Sequence, residues 1–265
     1  DKAGFYRLFV EQGETMDTVT DLARMIDHSL LHPTMTDEDL EAGCELARKY
    51  KTASVCIKPY AVQQAVELLK GSDVLVGTVI GFPHGSSTTA IKVAETIQAC
   101  KDGAVEIDMV VNIGKVLSEE WDFVEEEIEA ILAACHKNNA ILKVIFENDF
   151  VTDDKYKIKL CEICSKLGTE FVKTSTGYGF VKGEDGKYTY NGATDTDLKL
   201  MRLHSAPEVQ VKAAGGLRTL DDLLKAQSLG VTRVGATATA SMLEEAKERF
   251  GHGEAEEVGS EPEGY

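Results

Sequence analysis

Positive charge is in short supply in this sequence. Against 45 Asp and Glu there are 28 Lys and Arg in 265 residues, a formal net charge of -17. A surface this acidic repels phosphodiester backbones and anionic lipid, so neither nucleic acid nor a membrane is expected as partner. If the ligand is an anion, the positive charge that binds it must be concentrated in one place. Long apolar runs are missing too. None approaches the ~18 residues that span a bilayer, and the N-terminal residues lack the basic-then-apolar order of a signal peptide. A soluble, cytoplasmic protein is the expectation.

Metal-ligand and disulfide patterns are also lacking. The six cysteines (Cys44, Cys56, Cys100, Cys135, Cys161, Cys164) are scattered through apolar segments, as free thiols are in reducing compartments. Cys161 and Cys164 form a C-x-x-C inside a helical pattern, with no second pair to complete a zinc site. His28 and His32 lie four apart beside Asp27, a helical metal spacing, but Pro33 and the want of a third ligand argue against it. No metal or other cofactor is expected.

What is present is a rhythm. At 43% hydrophobic and 28% charged, the chain suits one large domain with a full core. Helical residues lead the chain (1–24), with Tyr6 to Val10 and Thr18 to Met25 as the apolar pieces. Strand-like runs follow at Met25–Asp27, Ser54–Ile57, Val74–Ile80, Val105–Val111, Ile141–Glu147, Phe171–Ser175, Val209–Ala214 and Arg233–Gly235. Helical stretches separate them. Thr36-x-x-Asp39, Thr194-x-x-Asp197 and Thr219-x-x-Asp222 read as helix starts, and Gly168 and Gly230 as stops. Eight β-then-α units in this length predict a (β/α)8 barrel over residues 1–250, with a doubly wound open sheet as the alternative. The connection Phe180–Ala193, with Asp185-Gly186 inside it, predicts a small hairpin over the barrel mouth. The Gly/Glu/Pro-rich residues 251–265 predict a mobile acidic tail.

Two of the runs carry a lysine where buried sheet is expected: Phe171-Val172-Lys173 and Val209-Gln210-Val211-Lys212. A buried ammonium costs several kcal/mol unless paired, so this placement argues for function. Alternate residues of a barrel strand face inward. Sorting each run by parity turns Glu106 and Asp108 inward on one strand and Lys212 on another, and places Lys143 and Glu147 on one face. Parity is indecisive at Lys173. The interior then holds Lys143, Lys173 and Lys212 against Glu106, Asp108 and Asp27, either as a structural ion network or as a site.

A lysine attacks a carbonyl only when neutral, and burial together with a second ammonium lowers its pKa. Lys173 and Lys212 on adjacent strands supply both conditions, which predicts a Schiff-base nucleophile, with Asp108 and a water shuttling protons. The glycines mark the other end of the substrate. Gly215-Gly216-Leu217-Arg218-Thr219 leads into a capped helix, Gly235-Ala236-Thr237 follows the last strand, and Gly177-Tyr178-Gly179 adds a third wall. Loops of this kind after the late strands of a barrel are phosphate sites.

The segments Ile26-Asp27-His28-Ser29-Leu30-Leu31, Ser54-Val55-Cys56-Ile57-Lys58-Pro59, Thr78 to Gly85, Glu106-Ile107-Asp108-Met109-Val110, Phe171 to Gly177 and Val211 to Thr219 resemble the 2-deoxyribose-5-phosphate aldolase family. The resemblance runs from about Ile26 to Ala240. It implies a metal-independent class I aldolase that reversibly cleaves 2-deoxy-D-ribose 5-phosphate to acetaldehyde and D-glyceraldehyde 3-phosphate, in deoxynucleoside catabolism. It places Lys173 on the family's Schiff-base lysine, Lys212 on the lysine that perturbs it and Asp108 on the proton-relay carboxylate. Asp27, Cys56, Lys143, Thr176, Gly177, Gly215, Gly216, Arg218, Gly235 and Thr237 are then expected around the substrate and its phosphate. Cys56, read without the resemblance, is core packing.

Two departures stand out. Thr237 and Ala238 occupy positions where members often carry serines, which predicts one hydroxyl contact to phosphate fewer, and Asn148 follows Glu147 where a threonine is common. Another Schiff-base lyase on a different sugar phosphate, or a sugar-phosphate sensor that never forms an imine, stay open as alternatives. The last residues, fully extended, reach roughly 50 Å, enough to bring the Tyr265 phenol to the mouth for proton transfer, though a solvated tail is the plainer reading. The outer helices of barrels often pair, so a homodimer is expected.

Overall fold

Short β-branched runs that alternate with capped amphipathic stretches leave each strand needing a parallel neighbour and each helix an apolar face to cover. In a computed structural model, which describes residues 19–250, the chain meets both needs by closing on itself. The expected leading helix at Tyr6–Val10, the acidic tail and Tyr265 lie outside those residues.

Helix α1 (Val19–Arg24) leads into β1 (Ile26–Leu30), α2 (Asp37–Tyr50), β2 (Ser54–Ile57), α3 (Val62–Leu68), β3 (Leu75–Ile80), α4 (Thr89–Lys101) and β4 (Glu106–Val110). Then come α5 (Ile113–Leu117), α6 (Trp121–Lys137), β5 (Ile141–Ile145), α7 (Asp154–Leu167) and β6 (Phe171–Lys173). The hairpin β7 (Val181–Lys182) and β8 (Tyr188–Thr189) precedes α8 (Asp195–His204), β9 (Gln210–Ala214), α9 (Leu220–Ser228), β10 (Arg233–Ala236) and α10 (Thr239–Phe250). The barrel order is β1-β10-β9-β6-β5-β4-β3-β2, all parallel, so the doubly wound alternative is set aside and the expected (β/α)8 barrel stands.

Local chemistry accounts for the element ends. Thr36 and Asp39 form a reciprocal capping box at α2, as do Thr219 and Asp222 at α9, while the Thr194 hydroxyl accepts the Asp197 N–H at α8. Helix α7 stops at Gly168, φ 74°, a left-handed turn that glycine takes without a Cβ clash. The hairpin is antiparallel and sits in the β6–α8 connection, where a small hairpin was expected.

Strand parity divides the interior from the helical shell. On β4 the side chains of Ile107 and Met109 join the apolar layer beneath the helices; on β5, Leu142 and Val144 do; on β9, Val211 and Ala213. Their neighbours, Glu106 and Asp108, Lys143, and Lys212, are buried on the opposite face. Among the described residues no helix is long and apolar enough to cross a membrane.

Strand β1 runs to Leu30, longer than the Met25–Asp27 expected. His28 therefore lies on a strand, not a helix, and faces the shell, with Nδ1 2.8 Å from the Thr239 hydroxyl. Burial pushes its pKa down to about 4. His32 pairs with the Thr34 hydroxyl instead, and among the described residues no His, Cys, Asp or Glu group is arranged for a metal.

Candidate active site

The barrel register sets three cations side by side. Lys173 of β6 is paired with Lys212 of β9, and Lys212 with Arg233 of β10. Across the interior stand Asp27 on β1 and Glu106 and Asp108 on β4, with Lys143 beside Asp108 on β5. All seven are buried.

The contacts form one network. Lys173 and Lys212 each donate to Asp108 Oδ2 at 2.7 Å. Lys212 also donates to Asp27 Oδ2 at 2.5 Å, and Lys143 to the same oxygen at 2.9 Å and to Glu106 Oε2 at 2.5 Å. Arg233 closes the cluster, 2.5 Å from Asp27 Oδ1 and 3.1 Å from both Glu106 oxygens, and Ser54 donates to Asp27 Oδ1 at 2.6 Å. Phe171 forms the floor, its ring centre 5.4 Å from the Arg233 guanidinium and 5.9 Å from Lys143 Nζ. Asp108 Oδ1 lies 3.2 Å from Lys143, within ion-pair range, yet makes no hydrogen bond.

Four cations against three carboxylates leave one positive charge in excess, and that excess falls on Lys173. Burial raises the carboxylates' pKa values, but Arg233 and Lys143 outweigh it at Asp27 and Glu106, and the three lysines outweigh it at Asp108, so all three end below the ordinary range. Lys143 is held well above the usual lysine value because three carboxylates outweigh its burial; Lys212 is raised because Asp108 and Asp27 outweigh its own. At Lys173 burial wins. Asp108, and to a smaller extent Cys56, oppose it, the Lys212 charge adds to it, and the pKa falls. The cluster therefore supplies one amine that sheds its proton readily, next to a fixed ammonium and a carboxylate with a lone pair to spare.

Beside the amine is an apolar wall. Cys56, Leu31 and Val79 pack with Phe82 and Tyr178, whose rings meet edge-on at 5.5 Å. Burial and the Asp108 charge push the Cys56 thiol up to about 11, so it packs as a neutral group.

The loops expected to hold phosphate adjoin on the other side. The Thr174 hydroxyl donates to the Ala214 carbonyl at 3.1 Å, which ties the end of β6 to the end of β9. Gly177, Gly215 and Gly216 all take left-handed backbone, at φ 84°, 88° and 86°. Thr176 is buried against Glu147, whereas Thr237 is exposed ahead of α10. Arg218 is exposed too, and its guanidinium has no partner among the described residues, while the Arg218 and Thr219 N–H groups are taken by Asp222. Helix α9 is thus capped by its own carboxylate, and the Gly215–Gly216 turn carries what anion-binding capacity the loop has. Gly235 lies within β10, as the expected run Arg233–Gly235 has it, and a Cβ there would press on Ala214 Cβ at 3.3 Å and approach the Lys212 stem at 3.6 Å. It makes room for the lysine.

The structure brings Lys173, Lys212, Asp108, Lys143 and Asp27 together as expected, with Cys56 alongside. Arg233 was missed, although its parity against Val234 carried the signal. Phe171 and Ser54 were missed as well, and nothing in their local sequence distinguishes them from packing.

A family model described as DeoC/LacD family aldolase matches residues 20–243. The deoxyribose-phosphate aldolase of Rhodopirellula baltica is 51% identical over 87% of this chain and 91% of its own length, and that of Caldanaerobacter subterraneus 43% identical over 88% and 96%. Among solved structures, a putative deoxyribose-phosphate aldolase from Coccidioides immitis superposes with a TM-score of 0.80 at 31% identity, covering 92% of this chain and 94% of that one. A tetrameric deoxyribose phosphate aldolase from Aeropyrum pernix gives 0.77 at 27% identity over 88% and 93%.

Proposed function

The chain belongs to the DeoC/LacD aldolase family, and from that membership we propose that it cleaves 2-deoxy-D-ribose 5-phosphate reversibly to acetaldehyde and D-glyceraldehyde 3-phosphate through a Schiff base on Lys173. The observation that carries the assignment is the shared Asp108 oxygen, which holds Lys212 and Lys173 together so that the less supported of the two gives up its proton.

Neutral Lys173 adds to the C1 carbonyl, and loss of water from the carbinolamine leaves an iminium. Removal of the C3 hydroxyl proton then breaks the C2–C3 bond. Its electron pair flows toward the iminium nitrogen and gives an enamine, while C3 leaves as the aldehyde of glyceraldehyde 3-phosphate. Protonation of the enamine at C2 and hydrolysis release acetaldehyde and restore the amine. Asp108 Oδ1, which makes no hydrogen bond, supports a relay role for that carboxylate through water. The Lys212 ammonium, held by Asp27 and Asp108, adds to burial in lowering the pKa of the neighbouring amine.

The phosphate is assigned to the loops after β6, β9 and β10, at Gly177, Gly215, Gly216 and Thr237, with Arg218 free to reach it; the Thr176 N–H and hydroxyl both donate to Glu147. We place the enzyme in the cytoplasm, which its free cysteines support, and as a homodimer. Borohydride reduction in the presence of acetaldehyde, followed by peptide mass analysis, tests the chemistry. A stable adduct on Lys173 is expected, and an adduct on any other lysine overturns the assignment.

A further inference from the structure

Two carboxylates outside the charge cluster hold the glycine loops, and no step above uses them. Glu147 follows β5 with φ 59°, left-handed backbone that is uncommon for a residue with a long side chain. Its side chain is fully buried. Oε2 accepts the Thr176 N–H at 3.2 Å and the Thr176 hydroxyl proton, and that hydroxyl oxygen accepts the Tyr178 N–H at 2.9 Å. Oε1 has no hydrogen-bond partner and faces Gly179, where a Cβ would sit 2.7 Å away.

Two residues further on, Asp149 is buried as well. Its Oδ1 accepts the Asn191 N–H at 2.5 Å and its Oδ2 the Gly192 N–H at 3.0 Å. Gly192 lies so close to Gly215 that a Cβ would collide with the Gly215 carbonyl, and the Ala193 N–H donates to that carbonyl at 3.0 Å. One turn thus grips both ends of the long β6–α8 connection, and the connection in turn grips the glycines after β9.

Burying two carboxylates near an anion site is electrostatically unfavourable, since they lose hydration and repel the ligand. Apolar residues would fill the space at less cost. What the carboxylates add is acceptors for backbone N–H groups in loops with no regular structure of their own. From this we infer that the Glu147–Asp149 turn is a positioning element for phosphate recognition, which fixes the spacing between Thr176–Gly177 and Gly215–Gly216 without touching the substrate. The inference rests on the reading of those loops as the phosphate site.

The test compares 2-deoxyribose 5-phosphate with unphosphorylated 2-deoxyribose in the full-length enzyme, together with inhibition by inorganic phosphate. Asp149→Ala is expected to raise KM for the phosphorylated sugar about tenfold, and the inhibition constant of phosphate in step, with kcat for both sugars held within about twofold. Asp149→Asn keeps one acceptor and is expected to lose less. Glu147→Gln keeps an acceptor for Thr176 and is expected to restore what Glu147→Leu loses; if the Ala and Leu variants do not fold, Asn and Gln carry the comparison. Equal losses on the two sugars would make the turn a general scaffold and overturn the inference. Gly216→Val separates the premise from the inference. If it leaves the preference for phosphate intact, the phosphate assignment falls and the inference with it. If it abolishes the preference while Asp149→Ala preserves it, the inference alone falls.

Discussion

Lys173 and Lys212 donate to the same oxygen of Asp108, each at 2.7 Å, from directly paired positions on β6 and β9. One carboxylate oxygen cannot fully neutralise two ammonium groups. Lys212 has a second carboxylate in Asp27 and Lys173 has none, so Lys173 is the less neutralised of the two and the one proposed as nucleophile.

Removing Lys212 should shift the pH dependence and not merely lower the rate. The Lys212 charge helps to depress the Lys173 pKa, so Lys212→Leu raises it, and the acidic limb of kcat/KM moves to higher pH by about one unit or more. Borohydride trapping on Lys173 should persist at alkaline pH. A profile from pH 5 to 10 with an unmoved limb would remove Lys212 from the activation.

Lys173→Leu separates chemistry from stability. Turnover should fall by roughly 10⁴-fold or more, as when other covalent nucleophiles are deleted. Yet the substitution takes the surplus cation out of the cluster, so the melting temperature should hold or rise. Lys212→Leu takes a cation from two carboxylates and should lower it. Calorimetry on the pair checks the contrast, and a Lys173 variant less stable than the Lys212 variant would contradict the charge count.

Asp108→Asn leaves three lysines facing an amide. Breaking a buried ion network in this way costs about 3–5 kcal/mol of folding stability. Loss of a proton relay lowers kcat by about 10²–10⁴-fold. Urea unfolding and single-turnover cleavage measure the two effects separately; stability loss with full turnover would leave Asp108 a structural role alone.

His28 should govern the first stage of acid destabilisation. Its pKa is pushed down to about 4 in the fold, so below its ordinary value of 6.5 the unfolded chain takes up a proton that the folded one refuses. Stability then declines as pH falls from 6.5 towards 4, by up to about 3 kcal/mol. The depressed carboxylates Asp27, Glu106 and Asp108 act later: their contribution is intact above the unfolded carboxylate range and is lost as pH falls below it. His28→Asn should flatten the upper stage and leave the lower one, as read from urea midpoints across pH.

Alternation made most of this legible. On β4 and β9 every second residue is apolar, so the inward turn of Glu106, Asp108 and Lys212 follows from strand geometry alone. On β6 it does not, because both faces of this three-residue strand are apolar until Lys173, and the large inward ring of Phe171 is there to meet Arg233 and Lys143 from distant strands. Thr36, Thr194 and Thr219 announced their helices because a cap is a local bond. Glu147, grouped with Lys143 by parity, lies past the end of β5 in left-handed backbone and turns to Thr176 instead; its role and that of Asp149 stayed hidden because their partners, Thr176 and Gly192, lie 29 and 43 residues away. The space that Gly235 clears for the Lys212 stem was not legible, because a glycine that opens a turn and one that makes room for a side chain look the same in sequence.

The order of charges along the chain has a further effect. Every carboxylate of the interior network, Asp27, Glu106 and Asp108, belongs to β1 or β4, and every cation, Lys143, Lys173, Lys212 and Arg233, to β5, β6, β9 or β10. A cut between β4 and β5 would thus give one fragment with an anionic inner face and another with a cationic one. Neither half could bury that face alone, and each would be drawn to the other before any bond to an aldehyde could form.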